Sequence, residues 1–398
     1  MPLSGRRSRP SPDGLGSSLV VTTPPEIGSP GSADERQNST APNVAFITER
    51  QVGLKTYSDN LERFVAQDDR IRASWHPIDY APGATMLDRV PAIPESLRGA
   101  ARGRAQVRRA IWASGADAHL FLTQTPLALG GALARRRPYV VMIDDTPRLY
   151  DDMAAHYGEA GSDSGPAAAM KHSINVRGLR SAYRILPMSE WAKASLINDY
   201  GVKPANIEVV PTGIDLNDWK PSPSSTSQAP RILFVGGDFD RKGGPLLLKA
   251  FARLSGGAEL DIVTRSQVDE APGIRVHKGL QANSKPLRDL FKNSDIFVLA
   301  SRGEAFPNVV VEACASGLPS IVTDVGGMAE MVVDGVTGFV IQPDGLDELT
   351  ARLQTLIDDA SMRTSMATEA RLRAEQRFDG QTNARRVVDL LIEASTSR

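Results

Sequence analysis

The stretch 301-SRGEAFPNVVVEACASGLPSIVTDVGG-327 decides how this chain is read. It carries two glutamates, Glu304 and Glu312, eight positions apart. Two short apolar runs, 295-DIFVLA-300 and 319-PSIVT-323, read as buried strands on either side of them. Between the strands, Pro307-Asn308 reads as a helix start with Asn308 as N-cap, and Gly317 as the glycine that ends the helix. Glu304 then falls in the strand-to-helix loop. Glu312 falls one turn into the helix, above Asn308. A helix N-terminus offers free N–H groups to an anion, and carboxylates accept hydrogen bonds from sugar or ribose hydroxyls. A ligand with both phosphates and hydroxyls, such as a nucleotide sugar, fits this pair. A solvated loop glutamate and an ordinary polar position on a covering helix fit the same spacing, so the rest of the chain has to decide.

Working outward, the second half alternates strands and helices. Strands are expected at 231-RILFVG-236, 258-AELDIVT-264, 274-IRVHK-278, 295–300, 319–323 and 338-GFVIQ-342. Helices are expected over 244–254, 284–292, 308–316 and 327–333, then over 345–358, 361–377 and 380–394. The loop 236-GGDFDRKGG-244 follows a strand and opens a helix. Its glycines, Gly236 and Gly237 among them, let backbone approach a ligand, and Arg241 and Lys242 suit a diphosphate. A charged surface turn is the plain alternative. The loop matches neither a Walker A motif nor a dinucleotide fingerprint, and Asp238-Phe239-Asp240 reads as turn chemistry.

The first half repeats the pattern. Strands are expected at 43-NVAFITE-49, 72-RASWHPI-78, 118-AHLFLT-123, 138-PYVVMI-143, 183-YRILPM-188 and 207-IEVVP-211. Helices are expected over 55–65, 97–113, 126–136, 166–181 and 190–199, with loops over 81–95 and from Asp144 onward. Gly53 opens the first helix and makes a second place where an anion can meet a helix start. Asp144 and Asp145 end a strand at the cleft side, where an acid can act as base or hold a hydroxyl; a cap or a solvated loop is the bland reading. The fold class is therefore α/β, two Rossmann-like doubly wound domains facing a central cleft, with ligands beyond the carboxyl ends of the strands. The expected boundaries are a disordered tail over 1–42, a first domain over 43–216, a Pro/Ser-rich linker over 217–230 and a second domain over 231–378. A C-terminal helix over 379–398 has the option of crossing back to the first domain.

Composition narrows the function classes. Of 398 residues 41% are hydrophobic and 23% charged, the profile of a soluble globular chain long enough for two domains. The formal net charge of −1 argues against a nucleic-acid surface. No apolar run reaches the roughly 20 residues that span a bilayer. A cytoplasmic enzyme is expected, with peripheral membrane contact left open. The single cysteine, Cys314, excludes an intrachain disulfide and a cysteine-cluster metal site, and reads as packing. The five histidines show no metal-ligand spacing; His119 reads as core, and His277 lies near Gly279-Leu280, where a base could lie. No G-x-S-x-G elbow is present, which argues against a serine hydrolase.

The stretch 295–349 resembles the signature of the GT-B glycosyltransferases of family 4, the retaining group 1 type, with Glu304 and Glu312 matching its E-x7-E motif. The segments 188-MSEWAKASL-196, 209-VVPTGIDLNDWKP-221 and 235-VGGDFDRKGGPLLLKAF-251 are similar to the same family. The resemblance is dense over 183–378, looser over 43–158, and absent from 1–42. It implies a transferase that moves a sugar from a nucleoside diphosphate sugar to a hydroxyl acceptor without a metal or other cofactor. It implies that Glu304 binds donor-sugar hydroxyls, that Glu312 holds the ribose, and that the N–H groups of Phe306, Asn308 and Val309 face the diphosphate. It further implies that Arg241 and Lys242 neutralise the leaving group, that Gly53 lies near the phosphates, and that Leu280 contacts the base through backbone. The chain departs from the family pattern in three places. Gly237 stands where an arginine is frequent. Ala305-Phe306-Pro307 stands where Gly-Phe-Gly is usual, so a backbone donor is lost at the proline. Asp144 stands where a histidine is frequent, a different base or a positioning residue. Two rivals to the transferase are a nucleotide-sugar epimerase of the same fold and a non-catalytic module.

Overall fold

The computed structural model describes residues 41–49, 53–81, 94–158, 165–222 and 229–397. The expectations for the tail up to residue 40, for most of the loop at 81–95 and for the middle of the linker lie outside the described residues.

The first sheet is built from β1 (Asn43–Glu49), β2 (Arg72–Ile78), β3 (Ala118–Leu122), β4 (Tyr139–Ile143) and β5 (Arg184–Pro187), in the order β2-β1-β3-β4-β5. The second holds β6 (Arg231–Val235), β7 (Glu259–Val263), β8 (Ile274–His277), β9 (Ile296–Leu299), β10 (Ser320–Thr323) and β11 (Gly338–Ile341), in the order β11-β10-β9-β6-β7-β8. All neighbours in both sheets pair in parallel. The second order is that of the dinucleotide-binding fold, the first that of the flavodoxin-like fold. Strand order reverses between β1 and β3 in one sheet and between β6 and β9 in the other. The crevice for a ligand opens at those two points.

Parallel sheets need cover on both faces, and the side chains alternate accordingly. In the first sheet Val44, Phe46, Leu120, Leu122, Val140 and Met142 fill one core, and Ile47, Phe121, Val141 and Ile143 fill the other. The first core is closed by α1 (Leu54–Val65), through Tyr57, Leu61 and Phe64. The second is closed by α2 (Glu95–Ser114) and α3 (Gln124–Gly130), through Val107, Ile111 and Leu127. The rest of the first domain contributes α4 (Pro147–Met153), α5 (Pro166–Arg180) and α6 (Glu190–Asn198). The second sheet carries α7 (Gly244–Phe251), α8 (Lys285–Lys292), α9 (Asn308–Ala315), α10 (Leu346–Asp358) and α11 (Ala360–Arg377). The last helix, α12 (Gly380–Thr396), leaves the second domain and packs on α1, β3 and β4. It enters beside the other crossing. Ile214 N–H donates to Phe378 O at 2.9 Å, and Gly380 N–H donates to Ile214 O at 3.0 Å. A Cβ on Gly213 would stand 2.4 Å from Gly380 Cα, so the two connections touch backbone to backbone.

Four local expectations are corrected. The segment 207–211 is not a strand: it meets β5 at one bridge, Ile185 to Ile207, because Pro187 has no N–H to donate. The helix expected at 327–333 is a single 3-10 turn, Ala329–Met331, since Met331 and Val332 are drawn into the core and Val332 is extended. The loop after Asp144 starts α4, with Thr146 as cap and Pro147 at the first helical position. Finally, the cap of α9 is Pro307, not Asn308, whose side chain is used elsewhere.

Candidate active site

The carboxyl ends of β6 and β9 build the centre. After β6 the chain turns through Gly236 to Gly243 and enters α7. Gly243 has φ 82°, and a Cβ there would lie 1.9 Å from Ala300 O, so the turn presses against the end of β9. That contact brings Arg241 and Lys242 onto the loop that carries Glu304. Glu304 Oε1 accepts from Lys242 Nζ at 2.7 Å and from Arg241 Nη1 at 2.9 Å. Burial would raise the Glu304 carboxyl, but the two cations outweigh it and hold it below its ordinary value. Arg241 also donates to Gly303 O. The three charged groups thus form one compact unit with net charge +1.

Glu312 faces a different environment. Its Oε2 is buried with no hydrogen-bond partner, and burial pushes its carboxyl up to about 8 against the charge of Lys242. It is a protonated acid near neutrality, able to donate as well as accept. Between the two glutamates lies the start of α9. Among the described residues no acceptor takes the N–H groups of Phe306, Asn308 or Val309. The Phe306 ring is packed edge-on to Phe378 at 6.2 Å, so the residue offers its backbone and not its side chain.

The first domain closes over this centre. Asn308 Nδ2 donates to Gly53 O at 3.2 Å, joining the starts of α9 and α1. Asn283 donates to Asn60 at 2.8 Å, and Arg63 pairs with Asp215 and Asp218, both at 2.7 Å. Glu330 accepts from the N–H groups of Glu190 and Trp191 and so caps α6 from the opposite domain. Asp144 lies at the end of β4, where burial, followed in the same direction by the charge of Glu304, raises its carboxyl despite its backbone hydrogen bonds. Burial and the neighbours Asp144 and Asp151 raise Asp145 well above its ordinary value. The structure therefore gathers Gly53, Arg241, Lys242, Glu304, Asn308 and Glu312 at one cleft, with Asp144 on its other wall. The Leu280 side chain is half-buried against the hydrophobic core. The Arg265 guanidinium lies over Gly237: a Cβ at that glycine would stand 2.9 Å from Arg265 Nε.

Several residues of the cleft were not singled out by sequence reasoning. Glu49 ends β1 and accepts from Tyr80 at 2.6 Å and from Thr123 Oγ1. Burial raises its carboxyl, and Asp144 adds to that. Thr123 ends β3 with φ 76° and ψ 165°, a conformation rare for a β-branched residue and costing on the order of 1–3 kcal/mol. Tyr157 reaches in from the first domain to Arg241. No local signal marks any of these; only the switch point of the first sheet picks out the strand ends that Glu49 and Thr123 occupy. His119 is buried with both ring nitrogens unpartnered and is pushed down to about 4, chiefly by burial. His277 is bound to Asp261 at 2.7 Å. Cys314 is fully buried. Among the described residues no three His, Cys, Asp or Glu side chains form a group that could hold a metal ion. No described helix is long and apolar enough to cross a membrane.

Residues 216–373 match the family described as Glycosyl transferases group 1, and residues 51–213 match the one described as Glycosyl transferase 4-like domain. The chain belongs to the group 1 glycosyltransferases. A D-inositol 3-phosphate glycosyltransferase of Arthrobacter sp. (strain FB24) is 26% identical over 239 residues, which is 54% of this chain and 56% of that protein. The chain thus spans just over half the length of that curated relative. Among solved structures of this glycosyltransferase fold, a sucrose-phosphate synthase from Thermosynechococcus elongatus superposes with TM-score 0.69 at 16% identity, over 88% of this chain and 98% of that one. The HepE protein of Anabaena, solved with UDP-glucose, superposes with TM-score 0.65 at 19% identity, over 88% of this chain and all of that one. At these identities the superpositions speak for the fold, two α/β domains around a cleft.

Proposed function

We propose that this chain is a retaining glycosyltransferase that moves a sugar from a nucleoside diphosphate sugar to a hydroxyl acceptor. The observation that carries the reading is the start of α9. Unbonded N–H groups sit there beside Arg241 and Lys242, and Glu312 Oε2 is buried one turn on without a partner. The N–H groups and the two cations suit a diphosphate. Glu312 suits the ribose diol. Glu304 keeps its second oxygen for a sugar hydroxyl while its first holds both cations. The UDP-glucose bound to HepE makes a uridine diphosphate sugar the first donor to try.

In the proposed reaction the bond from the sugar C1 to the diphosphate breaks, and a bond from the acceptor oxygen to C1 forms on the same face. The acceptor proton passes to the leaving phosphate. Negative charge grows on that phosphate, where Arg241, Lys242 and the helix start oppose it. Those cations meet the charge in this reading, so no metal ion is assigned a step. Asp144, on the opposite wall, orients the acceptor. Closure of the domains keeps water from the donor.

The test is a panel of nucleotide sugars with and without acceptors, run with and without EDTA on wild type and Glu304→Ala. Transfer with retained configuration, unaffected by EDTA and reduced at least a hundredfold by the substitution, is expected. Epimer formation with no acceptor and no transfer would replace this reading with that of an epimerase.

A further inference from the structure

The cation that the proposed reaction leans on is held from across the cleft. After α4 the first domain makes a 3-10 turn, Ala154–Tyr157, that reaches the loop following β9. The Tyr157 ring lies 4.5 Å from Arg241 Cζ, with the guanidinium over its face. Its hydroxyl is 3.5 Å from Gly303 O, the carbonyl that also accepts from Arg241 Nη1 and Ser301 Oγ. Tyr150 stacks on the same ring at 5.5 Å and 27°, which steadies the ring plane. A Cβ on Gly303 would stand 3.1 Å from His156 Cβ, so a glycine there lets the turn seat closely. Burial, with Glu304 close by, raises the Tyr157 hydroxyl, so it stays protonated and has no part as a base.

We infer that Tyr157 is a positioning residue for the diphosphate-binding cation: its ring face holds Arg241 at the start of the donor site, and does so only when the two domains are closed. The inference rests on the transferase reading above. On its own domain Arg241 is held by Asp238, Glu304 and the Gly303 carbonyl, and from the other domain by the face of the Tyr157 ring. A stacked guanidinium keeps its donor edge free for phosphate oxygens while its face is occupied. Charge stabilisation of the leaving group is thereby linked to the arrival of the acceptor-side domain.

Full-length Tyr157→Phe and Tyr157→Leu chains test this, with UDP affinity by calorimetry and turnover of the donor found in the panel. The phenylalanine keeps the ring face and loses only the weak hydroxyl contact, so affinity and kcat are expected within twofold of wild type. The leucine is expected to weaken UDP binding and to lower kcat, each about tenfold, which is about 1.4 kcal/mol. In an Arg241→Met background the tyrosine substitution is expected to cost nothing further, the signature of an effect that runs through Arg241. Equal loss in the phenylalanine and leucine chains, or a leucine effect unchanged in the Arg241→Met background, would overturn the inference. Wild type that binds UDP, with a leucine chain that binds it equally well, would overturn it while leaving the transferase reading intact. Wild type that binds neither UDP nor GDP would overturn both. If the leucine chain unfolds, the same cycle run with Tyr157→Met, which also lacks a ring, decides.

Discussion

Replacing Glu312 by glutamine tests how the floor of the cleft is built. Glu312 is 3% exposed and has a buried oxygen without a partner. Burial lifts its carboxyl from 4.5 to about 8, with Lys242 pulling the other way. In the unfolded chain the same group ionises near 4.5. Between the two values the folded chain keeps a proton that the unfolded chain has lost, so stability falls as pH rises through that window. No cost is incurred below 4.5, and the cost is complete above about 8. The window of about 3.5 pH decades (8 less 4.5) at about 1.36 kcal/mol each sets a ceiling near 5 kcal/mol. Relaxation and water at the cleft reduce that to about 2–3 kcal/mol at an effective dielectric constant near 20. Glutamine has the same shape and no charge to bury. Urea melts of the ligand-free chain are expected to coincide for wild type and Glu312→Gln at pH 4.5 and to favour Glu312→Gln by about 2–3 kcal/mol at pH 8.5. Identical pH slopes for the two chains would refute the account of a carboxyl held protonated by burial.

Two further outcomes follow from the site and the fold. The acceptor-side kcat/KM is expected to fall as pH drops through the raised carboxyl of Asp144, above its ordinary 3.8, and Asp144→Asn is expected to abolish that limb of the profile. Gly243→Ala places a methyl against Ala300 O and forces alanine into left-handed backbone; a loss of about 3 kcal/mol in urea melts is expected, with UDP binding weakened in step.

How much of this was legible in the sequence depends on how local the signal is. The run 43-NVAFITE-49 coincides with β1 because an apolar strand in a parallel sheet is marked by its own composition. Arg241, Lys242 and Glu304 sit in two loops that follow strands, and Glu312 sits in the helix after the second; a strand-loop-helix unit is short enough to read directly. The Thr146-Pro147 start of α4 carries a local signal, a capping residue followed by proline. The stacking of Tyr157 on Arg241 joins residues of different domains, and neither neighbourhood hints at it. The φ of 76° at Thr123 has no counterpart in residue type, since a threonine predicts the opposite; it goes with the hydrogen bond from Thr123 Oγ1 to Glu49 at the strand end. Asn308 is an excellent N-cap in isolation, whereas here its amide is drawn to Gly53 in the other domain.

The placement of α12 on α1, β3 and β4 sets the order in which the molecule can be completed as it is made. Val387, Val388 and Leu391 join a core with α1 and with strands the last of which ends at residue 187. The first domain therefore leaves the ribosome with an open seam, and the piece that fills it follows about 190 residues later, on the order of 10–40 s at ordinary rates of synthesis. The second domain is fully emerged before that helix appears. A nascent chain that ordinarily matures from its beginning would here finish its first half last. Slow elongation through the second half would prolong the exposure of Leu61, Phe64, Leu120 and Leu122 to whatever else is in solution.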